Sequence, residues 1–196
     1  MKQTLSIIGL CVILLAAYNS ITPSTSVATH YHSNSYTQAS DTVDTVQRSP
    51  SLSSKFIDHI LCKASSPACG TGESLYNYGV VTGIDPAIAL AFFQHESKFG
   101  LYGVAHNNKG IGNIRCTYGY RCFNGFRAYT TWQAGYQDWY HLIKDGYING
   151  SVSNQCPCTT ISTIIPVYAP STENDIQGYI TAVTSAVTKW RAEAAQ

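Results

Sequence analysis

The sequence contains little charge. Only 12% of its 196 residues are charged, whereas 12% are aromatic. That balance excludes a coiled coil, which needs many charged positions, and a disordered chain, which has few aromatic residues. The formal net charge of +1 argues against a general nucleic-acid-binding protein, and we expect no nucleic-acid partner. The length is that of one domain with additional segments.

Acidic residues are absent from one long stretch. Between Ser97 and Gln137 there is neither Asp nor Glu, although five basic residues lie there: Lys98, Lys109, Arg115, Arg121 and Arg127. Such a stretch either meets an anionic partner or forms a solvated loop. The sequence leaves both interpretations open.

A long apolar run is present only at the N-terminus. Lys2 precedes an apolar run of thirteen residues, Leu5–Ala17, which is too short for an ordinary membrane span and typical of the core of an export signal. Cleavage could follow Ala17, Ser20 or Ala28, and an uncleaved N-terminal membrane anchor is the alternative. Either way, we expect a secreted or extracytoplasmic protein.

The domain organisation follows from this beginning. Residues 1–28 are predicted to be the signal peptide or anchor. Residues 29–50 are rich in Ser, Thr, Gln and His without apolar periodicity, and are predicted to be a flexible linker. Residues 51–196 are predicted to be the functional domain, with order beginning near Leu52.

The cysteines have no zinc-site spacing, because no CxxC pair with matching histidines occurs, and we expect neither a metal nor a cofactor. Beyond Cys11 in the apolar run, six cysteines remain, an even number that indicates disulfides in an exported chain. The simplest pairing joins neighbours, Cys62 with Cys69 and Cys116 with Cys122. Cys156 and Cys158 would then close a very small ring, or each would reach a more distant partner.

The most informative helix is predicted over Asp85–Gly100. Asp85 can cap its N-terminus, Pro86 suits its first position, and Gly100 can end it in a left-handed conformation. Its only internal carboxylate, Glu96, shares a face with Phe92 and Phe93 and lies in the last turn. Lost hydration and the helix dipole both favour a protonated Glu96, as a general acid requires. The alternative is a carboxylate that points into water at a helix end.

Apolar periodicity predicts a mainly α domain around this helix. Leu101–Ala128 lacks an apolar stripe and is predicted to be an irregular insert with one short hairpin, its tip (TYGYR) closed by Cys116 and Cys122. The other helices are predicted over Ser53–Cys62, Glu73–Thr82, Trp132–Gly146, the segment TISTIIPVY capped by Thr159, and Glu173–Trp190.

Four motifs follow one another in the chain: HESKFG, NNKGIGNIRC, GFRAYTTWQAGYQDWYHLI and VYAPSTENDIQGYI. Together they resemble the mannosyl-glycoprotein endo-β-N-acetylglucosaminidase-like family (glycoside hydrolase family 73), which includes bacterial peptidoglycan hydrolases. The resemblance runs from about Leu52 to Trp190. It implies a lysozyme-like, two-lobed helical fold with a groove and cleavage of a peptidoglycan glycan strand after N-acetylglucosamine. We accordingly expect a monomer associated with the cell wall.

The resemblance also implies site residues. The catalytic Glu falls on Glu96, in the pair Glu96-Ser97, and the groove tyrosine falls on Tyr168. Gly112, Asn113 and Ile114 fall near the groove floor. Arg115 and the other basic residues of the insert would hold anionic groups of the wall. Sugar faces would stack on an aromatic set for which ordinary packing is the alternative: Tyr118, Tyr120, Tyr129 and Trp132.

A second carboxylate, which some family members place after the catalytic helix, is missing from that lobe. The remaining candidates are Asp138, Glu173 and Asp175. We favour a single-acid scheme in which Glu96 protonates the glycosidic oxygen and the substrate's own 2-acetamido group meets the developing charge, with Tyr168 assisting. The alternatives are a lytic transglycosylase on a related fold and a non-catalytic cell-wall-binding module.

Overall fold

The chain is built mainly from helices, as the sequence predicts. The computed structural model describes residues 43–172 and 174–196, so the predicted signal segment lies outside the described residues. A two-stranded antiparallel hairpin, β1 (Cys122–Phe123) and β2 (Phe126–Arg127), interrupts the helices. The helices are α1 (Ser54–Lys63), α2 (Gly72–Thr82), α3 (Pro86–Ser97), α4 (Ala105–Asn108), α5 (Trp132–His141) with a π-helical continuation (Leu142–Ile148), α6 (Ile161–Tyr168) and α7 (Ile176–Ala194).

Helix α3 is the centre of the core, and nine of its twelve residues are buried. It begins as predicted, since the Asp85 carboxylate accepts a hydrogen bond from Ala87 N and Pro86 occupies the first turn. Its end comes earlier than predicted, at Lys98. Lys98, Phe99 and Gly100 all have positive φ angles (50°, 59° and 82°), so the chain leaves the helix through three left-handed residues. Helix α3 packs against α2 and α7.

An aromatic cluster surrounds the C-terminal half of α3. Phe92 lies 5.3 Å from Trp139, 5.5 Å from Tyr168 and 5.6 Å from Tyr179, measured between ring centroids. Phe93 stacks on Tyr136 at 5.5 Å. Burying each phenylalanine contributes about 1.5–3 kcal/mol. Because the partners come from α5, α6 and α7, the cluster fixes these three helices around the end of α3.

The segment before α1 belongs to the domain, which corrects the predicted linker boundary at residue 50. Val46 is fully buried, donates a backbone hydrogen bond to Thr159 O and accepts one from Asp85 N. Asp85 is also fully buried and binds Arg191 Nη2 (2.8 Å) and both the amide and the hydroxyl of Ser51. Asp44 accepts hydrogen bonds from the amide and the hydroxyl of Ser162 at 3.0 and 2.6 Å, so this polar segment bonds to the domain.

The hairpin predicted within the insert is present, but its tip is elsewhere. Asn124 and Gly125 form the two-residue turn between β1 and β2, both with positive φ, as the turns of tight hairpins require. The segment TYGYR instead forms the loop closed by Cys116 and Cys122, where Tyr118 is fully exposed. The Asn-Gly pair was the sequence signal for the turn.

The cysteines pair with their neighbours, and the simplest pairing is confirmed. Cys62 pairs with Cys69, Cys116 with Cys122, and Cys156 with Cys158, at Cα–Cα distances of 4.6, 5.8 and 4.6 Å. Three disulfides fit an oxidising, extracytoplasmic compartment. None of the helices in residues 43–172 and 174–196 is long and apolar enough to cross a membrane.

The later helices differ from the prediction in their ends. Thr160, not Thr159, caps α6 through a capping box with Thr163. Pro166 lies inside α6, which continues for two more residues to Tyr168. Asp175 caps α7 by accepting a hydrogen bond from Gly178 N.

Candidate active site

A cleft of about 530 Å³ opens beside the C-terminal end of α3. That volume lies in the usual range for a small-molecule or subsite pocket. Four parts of the chain line it: the end of α3, the insert, the π-helical continuation of α5 with the loop after it, and the region between α6 and α7. Its lining residues include Glu96, Asn113, Arg115, Thr117, Phe126, Arg127, Leu142, Tyr147, Val167, Tyr168 and Asn174.

Glu96 presents the only carboxylate among the described residues that line the cleft. Its side chain is half-buried and accepts two hydrogen bonds. Tyr179 Oη donates to Oε1 at 2.6 Å, and Asn113 Nδ2 donates to Oε2 at 3.2 Å. Burial raises the pKa of Glu96, and the two hydrogen bonds partly oppose that rise. The direction agrees with the sequence prediction of an acid that holds its proton.

Asn113 is held where it can reach Glu96. Its backbone has a positive φ of 47°, and its Nδ2 also donates to the Glu96 carbonyl at 2.8 Å. Ser97 is buried and fastens the same loop, because its hydroxyl donates to Ile111 O at 2.9 Å and accepts from Gly100 N at 2.8 Å. The serine of the Glu96-Ser97 pair therefore positions the loop and does not line the cleft.

Gly112 leaves room for the aromatic wall behind the cleft. A Cβ at this position would lie 2.5 Å from Trp139 Cδ1 and 3.1 Å from Tyr168 Oη, so only glycine fits. The Tyr168 hydroxyl donates to the Gly112 carbonyl, and burial raises the pKa of Tyr168 well above its ordinary value. Tyr168 thus lines the cleft as a neutral phenol whose hydroxyl already donates its hydrogen bond to the Gly112 carbonyl.

The remaining predicted binding residues divide between cleft and core. Arg115 lines the cleft, with its guanidinium 4.9 Å from the Phe126 ring centroid. Tyr129 does not line it. Its hydroxyl donates to Asp138 Oδ2 at 2.6 Å, and burial and Asp138 raise its pKa. Trp132 is buried against Gly100, where a Cβ would lie 2.6 Å from the indole. These contacts favour the packing alternative for Tyr129 and Trp132, and neither is among the described residues that line the cleft.

The candidates for a second carboxylate are engaged elsewhere or lie outside the description. Asp138 binds Arg127 Nη1 through both oxygens at 3.0 and 3.1 Å, and both side chains are nearly buried. Asp175 caps α7. Glu173 lies outside the described residues. The Asp138 ion pair also neutralises one of the five cations of the acid-free stretch.

Tyr179 is the site residue that sequence reasoning missed. Its ring is buried on the same side of α7 as Val183 and Val187, and burial of the ring says nothing about the partner of the hydroxyl. The bond to Glu96 joins residues 83 positions apart. No local pattern could have revealed it.

Among the described residues no group of three His, Cys, Asp or Glu side chains is arranged to hold a metal ion. Comparison of the chain with family models, with curated proteins and with solved structures finds no match.

Proposed function

We propose that this protein is a glycoside hydrolase that cleaves the glycan strand of peptidoglycan as an endo-β-N-acetylglucosaminidase, with Glu96 as general acid. The observation that carries the proposal is Glu96 itself, a half-buried carboxyl with a raised pKa that faces a cleft of subsite size. The motifs around it, which resemble those of glycoside hydrolase family 73, supply the substrate class.

Glu96 is suited to both halves of a proton-transfer cycle. Burial raises the pKa of Glu96 and so favours the protonated carboxyl, the form that can protonate the glycosidic oxygen. After transfer, the hydrogen bonds from Tyr179 and Asn113 stabilise the carboxylate that remains. The same carboxylate can then accept a proton from the attacking water.

With a single protein carboxyl, the substrate itself must supply the nucleophile that attacks C1. In our scheme the carbonyl oxygen of the 2-acetamido group attacks C1 while the bond from C1 to the leaving oxygen breaks and Glu96 protonates that oxygen. Water then attacks C1 of the cyclic intermediate while the bond from C1 to the acetamido oxygen breaks. This step restores the acetamido group, and a proton of the water goes to the Glu96 carboxylate. Cleavage by this route needs no second protein carboxylate. It agrees with a cleft in which Glu96 is the only carboxylate among the described lining residues.

The insert supplies a plausible surface for a charged wall polymer. Arg115 and Thr117 line the cleft, and the disulfide-closed loop that follows carries the exposed Tyr118. Carboxylates of stem peptides and phosphates of wall polymers are complementary to this basic, acid-free segment. Location at the cell wall and a monomeric state are part of the proposal.

Analysis of the products tests the proposal. Purified peptidoglycan is incubated with the protein or with its Glu96→Gln variant, and the released fragments are identified by mass spectrometry. A reducing N-acetylglucosamine end, lost in the variant, supports the proposal. An anhydromuramic end would identify a lytic transglycosylase that uses the same Glu96. Binding of insoluble wall without release of fragments would identify a wall-binding module.

A further inference from the structure

We infer that Tyr179 is a positioning residue that orients Glu96 and stabilises its carboxylate after proton transfer. The inference rests on the proposed function, because it assigns the residue that supports the proposed acid. It comes from a contact between α7 and α3 that neither the motifs nor the helical periodicity indicated.

The phenol is held rigidly behind Glu96. The ring of Tyr179 lies between two residues of α3, 5.6 Å from the Phe92 ring and 3.7 Å from His95, on which it stacks. Its backbone N–H is bonded to Asp175 O in the capped first turn of α7. A ring packed this way has little freedom, so the 2.6 Å hydrogen bond fixes one oxygen of Glu96.

Tyr179 supports Glu96 without reaching the substrate. Its side chain is only 2% exposed, and it is not one of the described residues that line the cleft. Burial and the neighbouring Glu96 raise its pKa well above the ordinary value, so the hydroxyl stays protonated and donates. Glu96 Oε1 therefore accepts the short hydrogen bond from Tyr179. We assign the transferable proton to Oε2, which accepts the longer hydrogen bond from Asn113 Nδ2 at 3.2 Å.

Other groups around Glu96 also affect its protonation, so a test of Tyr179 must leave these groups unchanged. Burial and the neighbouring Lys98 lower the pKa of His95, which favours its neutral imidazole. Within residues 43–172 and 174–196, the titratable or charged side chains around Glu96 and its cleft are Tyr179, Tyr168, Tyr147, His95, Lys98, Arg115 and Arg127.

The test is Tyr179→Phe, which keeps the packed ring and removes the hydroxyl. Loss of a donor to the carboxylate raises the pKa of Glu96, so the alkaline limb of the kcat–pH profile should move upward by about one pH unit. The plateau value of kcat should fall by about tenfold, because the transition state forms the same carboxylate.

The matched control is Tyr136→Phe. Tyr136 is fully buried, stacks on the neighbouring Phe93 at 5.5 Å, and bonds Thr71 Oγ1 at 2.8 Å. Its replacement removes an equivalent buried hydroxyl from the same aromatic cluster. It should lower the melting temperature and leave the pH profile in place, which separates positioning from a merely structural role.

A readout independent of turnover completes the test. The Glu96 carboxyl carbon is labelled with ¹³C, assigned by its absence in Glu96→Gln, and titrated by NMR. A higher Glu96 pKa in Tyr179→Phe than in Tyr136→Phe supports the inference even if the wild-type protein releases no glycan fragments, a result that would defeat the proposed function alone. An unchanged Glu96 pKa and an unmoved pH limb in Tyr179→Phe would overturn the inference.

Discussion

Replacement of Glu96 by Gln separates the catalytic role of this residue from its structural role. The amide keeps the size of the carboxyl but has no transferable proton. Removal of a general acid lowers the rate by about 10²–10⁴-fold. We therefore expect release of peptidoglycan fragments to fall by that factor, measured as reducing ends liberated per minute at saturating substrate.

The structure also defines what the replacement does to stability. Glu96 offers two acceptor oxygens, one to Tyr179 and one to Asn113, whereas an amide offers one. At low pH, where the wild-type Glu96 is neutral, the variant should be less stable by the value of one hydrogen bond, about 0.5–1.5 kcal/mol.

The pH dependence has a definite sign. In the folded state the pKa of Glu96 is raised above its ordinary value of 4.5. At pH values between 4.5 and this raised pKa, the folded protein therefore binds more protons than the unfolded chain. The free energy of unfolding of the wild-type protein therefore falls as pH rises through this window. The free energy of unfolding of the variant does not fall for this reason, because its amide has no proton to lose. The deficit of the variant should shrink between pH 4 and pH 8, or reverse.

Urea unfolding of both proteins at pH 4 and pH 8 measures this change. The control is Glu193→Gln, which alters a carboxylate in α7 that pairs with Lys189 at 3.9 Å and lies outside the cleft lining. It should change neither activity nor the pH trend. A Glu96→Gln protein that retains a tenth of the wild-type activity would refute the catalytic role. A stability difference that does not vary with pH would refute the assigned protonation.

Three further replacements test the architecture around the site. Gly112→Ala should cost about 1–3 kcal/mol in urea unfolding and lower kcat, because the new Cβ overlaps Trp139; an unchanged midpoint would contradict this packing. Asp85→Ala should destabilise by about 3–5 kcal/mol, since it removes the buried carboxylate that Arg191 Nη2 binds at 2.8 Å, and a loss below 1 kcal/mol in the same assay would argue against the ion pair. Asp138→Asn should lower the melting temperature yet keep glycan cleavage on the folded protein, and a loss as severe as that of Glu96→Gln would mean that the single-acid scheme is wrong.

Local rules were enough to predict α3 and the face that carries Glu96. Asp85, Pro86 and the left-handed end near Gly100 are short-range signals, and helical spacing places Glu96 beside Phe92 whatever the rest of the chain does. The pairing of neighbouring cysteines was also within reach, because the separations are short. These predictions depend only on residues a few positions apart.

The sequence alone does not decide which aromatic side chains lie in the cleft. Tyr129 and Trp132 have the chemistry of sugar platforms, yet one bonds Asp138 and the other packs on Gly100. Asp138 was a candidate second acid and is neutralised by Arg127. Composition does not distinguish an aromatic ring in a cleft from one in the core, because that depends on contacts with distant elements.

The sequence by itself indicated the helical domain, its central capped helix, neighbour pairing as the simplest disulfide arrangement, and the position of one partly desolvated acid. Only the tertiary structure decided the partners of that acid. Tyr179 is 83 positions from Glu96, and Asn113 reaches it from a loop that Ser97 fastens to the helix end. Hydrogen bonds of this kind require that helices distant in the chain be packed together, and packing is a property of the whole core.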